Sequence, residues 1–315
     1  EEARELLADL ARRSLFTDRR GTADRTYFFH ALFAAFLQTR ASRYFSVDTL
    51  SQFRSRAAAI LYGESQFDAA IHLALDAEAF EQAMQWIGAH AGALADQGKT
   101  AIVRAWIERL PPALQSTAVM LYWAAQCELA TDPGAAIERF GRAYAAYVEA
   151  GDRNGALLSA AGAAESIAFE GRRLAPLDRW IAVFEQLAPE WLAASDAALD
   201  LRVLPGMLAA FVRRQPAHPL ATVLADRAEQ LLDERRFDGH RLLMSMLPTM
   251  QVVTGDAARG ARIRRRLDAL RTTFEMGPSA LLRWYATSIY FRASFGDLKG
   301  ALAEVEDAIA IAQAH

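Results

Sequence analysis

The segment from Ala93 to Thr100 has the residue types of a phosphate-binding loop. It runs Ala-Leu-Ala-Asp-Gln-Gly-Lys-Thr, and in such a loop a lysine and free backbone N–H groups hold the phosphates of a nucleotide. That chemistry requires a buried strand before the loop. The preceding residues, from Phe80 to Leu94, instead repeat apolar side chains at helical spacing. The segment is therefore predicted to link two helices, with Gly98 closing the first and Thr100 near the start of the second.

The other residue types that catalyse reactions or bind metals are scattered along the chain. No two of the six histidines stand three to five positions apart on one helix, and Cys127 is the single cysteine. This spacing contains no zinc signature. The serines do not form a Gly-x-Ser-x-Gly elbow. We expect a non-enzymatic chain that carries no metal and no cofactor of its own.

An arginine-rich run, Arg259 to Arg271, is the segment that most resembles a nucleic-acid-binding patch. Its arginines spread around a helix, and Asp256, Asp268 and Glu275 dilute their charge. The pattern favours a solvated helix face. The whole chain has a net charge of -3 and a pI near 6.1, so no direct contact with nucleic acid is expected.

An aromatic stretch from Tyr27 to Leu37 surrounds one histidine. Residues 26–29 form an apolar run typical of a strand, and the apolar residues from Leu32 onward follow helical spacing. His30 therefore sits where a strand gives way to a helix, and its side chain could face a ligand held by a neighbouring module. The alternative is a histidine satisfied by the local backbone.

Beyond Phe29, the sequence predicts an all-α chain. Strand-like alternation is nearly absent, and glycine and proline fall mostly between helical stretches. The predicted helices cover residues 3–14, 31–40, 47–62, 67–76, 79–95, 100–109, 116–130, 134–149, 154–170, 176–187, 197–213, 218–234, 239–253, 257–274, 279–294 and 298–313. Short connections predict antiparallel neighbours.

A recurring turn indicates helical repeats. Gly-Asp pairs at 151–152, 255–256 and 296–297 each precede an alanine-rich helix, so each glycine can end one helix while each aspartate caps the next. Helix pairs of similar length fill residues 116–313, as in a tetratricopeptide-like (TPR-like) superhelix with repeats longer than the usual ~34 residues.

The amino-acid composition further limits the class of protein to which this chain can belong. The hydrophobic content of 53% supports a substantial core. A lone cysteine in an apolar run excludes a disulfide framework, and no segment has the ~18 consecutive apolar residues of a membrane span. We expect a cytoplasmic protein. Glu1 begins inside a predicted helix and His315 follows an apolar helix face, so we also expect the chain to be a segment of a longer protein.

A ligand groove is expected on the first helices of the pairs, which usually line the concave side of such an array. Polar residues interrupt these helices, and concave clefts with a few convergent polar groups are the usual binding sites. The candidates are Tyr122, Gln126, Arg202, Arg241, Arg283 and Tyr290.

Several segments together resemble the C-terminal half of MalT-like transcriptional regulators, which are STAND-class signalling NTPases that often carry a LuxR-type DNA-binding domain. Leu6 to Phe16 resembles the helix and hairpin of the family's winged-helix module. Tyr27 to Phe33 is similar to its Tyr-x-Tyr-His-Pro-Leu-Phe block, with Phe29 replacing the second tyrosine and Ala31 the proline.

Further matches cover the helical arm that comes next. Ala69 to Leu75 and Phe80 to Ala83 resemble its first helix pair, Gln97 to Lys99 its glycine turn, and Trp106 to Pro111 its Trp-Leu-x-x-Leu-Pro ending. The specific matches lie within residues 1–112, and beyond them only helical-repeat character is shared.

The resemblance implies a winged-helix remnant with a short β-hairpin at 1–45, a helical arm at 46–112 and a TPR-like sensor at 113–315. It further implies an upstream NTPase module that binds ATP or ADP, with His30 contacting the nucleotide in the intact parent, and a downstream DNA-binding module. The sensor would bind a small-molecule inducer or a regulatory protein. The alternative is a TPR-type scaffold that binds only proteins, without small-molecule or nucleotide sensing.

Overall fold

The structure is a computed structural model that describes residues 2–20, 26–194, 197–233, 242–274 and 276–314. The chain divides into two compact units, Glu1–Ala83 and Met84–His315. The boundaries expected from the resemblance, near residues 45 and 112, stay predictions.

The first unit contains a hairpin between helices. Its two strands pair antiparallel, with Thr17 opposite Phe29 and Asp18 opposite Phe28. The second strand spans the four residues that the sequence predicts. In chain order the elements are α1 (Glu2–Arg12), β1 (Thr17–Arg20), β2 (Thr26–Phe29), α2 (Ala31–Tyr44), α3 (Val47–Gly63) and α4 (Phe67–Asp76), and α5 (Phe80–Asp96) runs from this unit into the next.

The second unit is a series of helices joined by short turns. After α5 come α6 (Thr100–Glu108), α7 (Pro112–Gln115), α8 (Ala118–Glu128), α9 (Pro133–Glu149), α10 (Arg153–Glu170), α11 (Leu177–Ala194), α12 (Ala197–Arg214), α13 (Pro219–Leu231), the 3-10 helix η1 (Leu243–Met246), α14 (Leu247–Val253), α15 (Ala257–Thr273), α16 (Pro278–Ser294) and α17 (Leu298–Ala314).

These helices pack as consecutive pairs. Helix α8 pairs with α9, α10 with α11, α12 with α13, α14 with α15, and α16 with α17. The first helices also contact one another, α8 against α10 and α10 against α12. The 3-10 helix η1, which directly precedes α14, contacts both α12 and α16. The predicted all-α fold of helical repeats after a short hairpin is confirmed. Across the described ranges, no helix combines the length and the apolar character needed to cross a bilayer.

The Gly-Asp turns work as predicted. Gly151, Gly255 and Gly296 have φ values of 71°, 100° and 78°, the left-handed conformation that glycine adopts without a steric penalty. The carboxylate of Asp152 accepts a hydrogen bond from the N–H of Gly155 at 2.9 Å. Each of the other two aspartates likewise accepts from the N–H three residues on, so each caps the following helix.

Small residues bring α10 into very close contact with its neighbours. A Cβ added at Gly206 of α12 would lie only 2.0 Å from the carbonyl oxygen of Ala161. One added at Gly162 would lie 2.5 Å from the ring of Phe140 on α9. The alanine-rich sequence of α10 therefore lets both neighbouring helices approach its backbone.

Three predicted helices differ from the structure at a proline or at a break between helices. The helix predicted to end at 187 continues to Ala194 through Pro189, although proline usually stops a helix. The helix predicted over 116–130 begins at Ala118, after the separate short helix α7. The helix predicted over 239–253 is divided into η1 and α14, with Met244 at ψ 15° and Pro248 in the first turn of α14; its first three residues lie outside the described ranges.

The arginine run is only partly a solvated face. Arg259 pairs with Asp226 and Glu229 of α13, in keeping with its position on a charged surface. Arg264 contradicts the prediction, because its side chain is only 9% exposed. Its guanidinium donates to Asp268 and Ser288 and lies 5.1 Å from the ring centroid of Trp284. These two arginines therefore bind their own chain.

Cys127 is buried in α8. Burial raises the pKa of its thiol to about 12, so the nucleophilic thiolate is scarce at neutral pH. This cysteine is a core residue.

Candidate functional site

The turn that resembles a phosphate loop connects two helices. Gly98 has a φ of 75°, and its N–H donates to the carbonyl of Ala95 at 2.9 Å. The N–H of Lys99 donates to the carbonyl of Leu94 at 2.8 Å. These bonds close the end of α5, so the N–H groups that a phosphate would need are occupied. The predicted helix–turn–helix connection is confirmed.

Three of the groove candidates, Tyr122, Gln126 and Arg202, form one group. Tyr122 and Gln126 are one turn apart on α8, and the Gln126 amide donates to the Tyr122 hydroxyl at 3.1 Å. Arg202 of α12 lies 5.6 Å from the ring centroid of Trp123 and pairs with Asp96 at 3.6 Å. Burial raises the pKa of Tyr122, an effect that nearby Arg202 opposes. Tyr122 is only 4% exposed, so a ligand would meet Gln126 and Arg202 first.

Arg283 of α16 forms a long-range ion pair. Its guanidinium donates to the carboxylate of Glu165 on α10, with an Nε to Oε1 distance of 2.7 Å. The two side chains are 18% and 16% exposed, so water screens the pair weakly. The pair joins two first helices that are far apart in sequence.

Tyr290, also on α16, contacts an arginine that the sequence interpretation overlooked. The guanidinium carbon of Arg213 on α12 lies 4.9 Å from the Tyr290 ring centroid, which is a cation–π contact. Burial lowers the pKa of Arg213. Within the described ranges, its Nε has no hydrogen-bond partner.

A small cleft of about 30 Å³, which opens to solvent, lies between these helices. Its polar lining comprises Glu165, Arg213, Ser245, Arg283 and Thr287, which come from α10, α12, η1 and α16. Helices α10, α12 and α16 are first members of their pairs, and η1 leads directly into α14, the first member of another pair.

The sequence predicts a groove on the first helices of the pairs. Only some of the candidate residues lie at this cleft, and other residues that line it were not among the candidates. Arg283 lines the cleft and Tyr290 contacts Arg213 beside it, whereas Tyr122, Gln126 and Arg202 form a separate group, and Arg241 lies outside the described residues. Glu165 was missed, yet it is the only charged residue between 154 and 169 in a buried helix, a signal that could have found it. Whether any of these residues binds a ligand stays a prediction.

His30 occupies the predicted junction between β2 and α2. Its backbone N–H donates to the carbonyl of Phe16 at 2.7 Å, and its carbonyl accepts from the N–H of Ala34. The imidazole makes no capping hydrogen bond and is exposed. The backbone of His30 is therefore satisfied locally, while its side chain faces solvent.

Exposed aromatic and apolar residues precede and follow His30 in the first unit. We define this aromatic surface by five residues: Phe16, Phe29, His30, Leu32 and Phe36. The Phe16 ring lies 6.5 Å from the His30 ring. Phe16 is 63% exposed and Leu32 is 77% exposed, and no residue of α2 is buried. Contiguous apolar surface of this kind is typical of a contact site.

The first unit contains a hairpin between helices, and the second unit contains helical repeats with a polar cleft. Residues 1–47 match the family model of the MalT winged helix domain. No curated protein and no solved structure matches the chain. The match supports a MalT-like regulator. Among the described side chains, no three His, Cys, Asp or Glu residues cluster as they would around a metal ion.

Proposed function

We propose that this chain is the regulatory sensor region of a signal-responsive MalT-like transcriptional regulator of the STAND class with a LuxR-type DNA-binding domain. The helix pairs bind the signal, and the winged-helix remnant transmits it to an upstream NTPase module. The observation that carries the proposal is the MalT winged-helix match at residues 1–47, joined to helical repeats whose first helices converge on a polar cleft.

The role of the chain is binding and not catalysis. The cleft combines apolar walls with a few convergent polar groups, and paired charges such as Glu165 and Arg283 suit recognition of a polar ligand. Nucleotide chemistry belongs to the parent's NTPase module, which holds ATP or ADP. The chain therefore has no cofactor of its own.

The aromatic surface is the site where the NTPase module docks. An exposed imidazole among phenylalanines can donate to a phosphate oxygen once a partner covers the surrounding apolar area. The parent protein is inactive while the NTPase module is docked. Signal binding releases the NTPase module, and the parent protein then multimerises.

Replacement of His30 by alanine in the intact parent should alter nucleotide-dependent activation and leave the fold unchanged, because the imidazole makes no capping bond. Transcription from a reporter, measured across ATP and ADP ratios, checks this. His72→Ala is the matched control, since His72 is a partly exposed histidine of α4 that pairs with Asp68. Equal activation in the wild type and in the His30 variant would contradict the docking role.

A protein-binding scaffold is the second candidate function, and exposed apolar residues on the last helix favour it. Leu298 and Leu302 of α17 are 68% and 60% exposed, as at a protein contact site.

Thermal-shift screening of small molecules on this chain separates the two functions. A sensor should gain apparent stability in proportion to the logarithm of ligand concentration, by about 2.7 kcal/mol at a hundredfold excess over Kd. Substitutions that fill the cleft, such as Ala209→Leu, should abolish that gain. A stability gain with a partner protein alone, unaffected by Ala209→Leu, would support the scaffold and contradict the sensor.

A further inference from the structure

An open groove lies between α9 and α11, the second helices of two neighbouring pairs. Its volume is about 430 Å³. Ile167 of α10 and Trp180 of α11 line it and are only 2% and 4% exposed, so they form its base. The Tyr144 ring of α9 contacts the Trp180 ring edge-on at 5.3 Å, and this contact joins the two flanking helices. The groove therefore has a fixed, apolar base.

Gly141 lines this groove from the middle of α9. Glycine is less favourable than alanine inside a helix. Gly162 and Gly206 lie against neighbouring helices that leave no room for a side chain, whereas a Cβ added at Gly141 would meet nothing within 4 Å. Packing within the described chain therefore does not require glycine at this position. Its missing side chain leaves room for a partner to approach the helix backbone.

Positively charged side chains predominate at the rim. Arg142 of α9 and Arg179 of α11 line the groove from its two flanking helices, and Glu138 is the acidic residue in its lining. The guanidinium carbon of Arg179 lies 4.8 Å from the ring centroid of Trp180, which holds the charge beside the apolar base. Residues 172–173, in the turn that leads into α11, are two further exposed arginines. These charges favour an acidic partner.

The groove has the length and the shape that a helix of a partner protein requires. Ile137, Gly141 and Ala145 line it at every fourth position of α9, which makes a row of about 12 Å. An amphipathic helix places its apolar side chains in such a groove and its charged side chains at the rim. A small molecule would need a more enclosed pocket. A nucleic acid fits less well, because the base is apolar and the chain has a net charge of -3.

We propose that the groove between α9 and α11 binds an acidic amphipathic helix of a partner protein. One large apolar side chain of that helix packs against Gly141 and Trp180, and its carboxylates lie beside Arg142 and Arg179. The proposal goes beyond the sensor function, because none of the residues that line this groove lines the polar cleft.

A synthetic helical peptide of about 15 residues, with leucines around one central phenylalanine and glutamates at its flanks, is the probe. Microscale thermophoresis of the labelled 315-residue chain measures its affinity, and we expect a Kd of about 0.05–1 mM. The same peptide with lysine in place of every glutamate should bind at least about tenfold more weakly. Equal binding of the two peptides, or no saturable binding of the acidic one up to about 3 mM, would overturn the proposal.

Gly141→Leu fills the groove without crowding the fold, because the space above Gly141 is open. It should weaken binding of the acidic peptide by at least about tenfold and leave the melting temperature unchanged or higher. Ala193→Leu is the matched control, since it adds a leucine at an exposed position of α11 outside the groove, and it should keep the affinity within about twofold. An unchanged affinity in Gly141→Leu would contradict the site.

Arg142→Glu reverses one charge at the rim. It should weaken binding of the acidic peptide by about tenfold and strengthen binding of the lysine peptide by about threefold. Arg104→Glu makes the same change in charge at an exposed arginine of α6 that lies 3.7 Å from Glu108, and it should leave both affinities within about twofold. Equal effects of the two variants would indicate a general charge effect and would exclude the groove.

Two further measurements separate this proposal from its alternatives. A single-stranded oligonucleotide should bind more weakly than the acidic peptide at about 0.15 M salt; tighter binding that Gly141→Leu reduces would assign the groove to nucleic acid instead. Ala209→Leu changes the polar cleft and should leave the peptide affinity unchanged. Peptide binding by a chain that no small molecule stabilises would remove the sensor function alone, and stabilisation by a small molecule without peptide binding would remove the groove alone.

Discussion

Gly206→Ala is expected to destabilise the second unit by about 3 kcal/mol or more, at the upper end of the usual cost of overpacking. The added methyl group would lie 2.0 Å from the carbonyl oxygen and 2.7 Å from the carbonyl carbon of Ala161. Both atoms belong to backbone, so no side-chain rotation can relieve the overlap. Helices α10 and α12 must separate, and the loss should appear as a lower urea midpoint and a lower melting temperature.

Gly141→Ala is the matched control for this prediction. Gly141 lies inside α9, and a Cβ added there meets nothing within 4 Å. Alanine is favoured over glycine inside a helix by about 0.5–1 kcal/mol, so the same substitution should stabilise the chain slightly. If both variants shifted the unfolding midpoint in the same direction, the result would contradict the explanation by close approach of α10 and α12.

This close approach also sets the geometry of the cleft. Glu165 lies one turn beyond Ala161 on α10, and Arg213 lies two turns beyond Gly206 on α12, near 3.6 residues per turn. The backbone contact therefore brings the two first helices together one to two turns before the charged residues. A variant that separates the helices should widen the cleft as well as weaken the fold.

Most of the helical framework can be predicted from local sequence signals. The Gly-Asp turns specify both a left-handed helix end and a capping carboxylate, and Asp152, Asp256 and Asp297 all cap as predicted. These signals involve residues within a few positions of each other, so one sequence contains all the information they need.

Two helix limits could not be predicted because tertiary packing decides them. Pro189 lies inside α11, where Ala188 and Trp191 on either side of it are buried. Burial of that face outweighs the hydrogen bond lost at proline. Conversely, the helix predicted over 239–253 is interrupted at Met244. Local propensity is overridden at both places.

The pairing of residues in the polar cleft could not be predicted from the sequence. The partners Glu165 and Arg283 are 118 positions apart, and nothing in either local sequence specifies the other. The all-apolar surroundings of Glu165 could have marked it as a buried charge. Arg213 had no such signal, because adjacent arginines at a helix end are usually assigned to solvent and to the helix dipole.

Removal of a guanidinium from a buried ion pair should produce a second large loss of stability. Asp200 of α12 has a relative exposure of 0%, and Arg227 of α13 donates from Nε to its Oδ2 at 2.6 Å. Arg227→Met leaves that carboxylate buried without its partner, which costs about 3 kcal/mol. Thermal and urea unfolding followed by circular dichroism measure the loss.

The double variant Asp200→Leu with Arg227→Met tests the cause of that loss. Removing both charges leaves no uncompensated carboxylate, so stability should return to within about 1 kcal/mol of the wild type or exceed it. Arg214→Met, which breaks the solvent-exposed pair with Asp178, should leave unfolding unchanged because water replaces that interaction. A double variant as unstable as Arg227→Met alone would show that packing of the arginine stem, and not charge burial, holds α12 against α13.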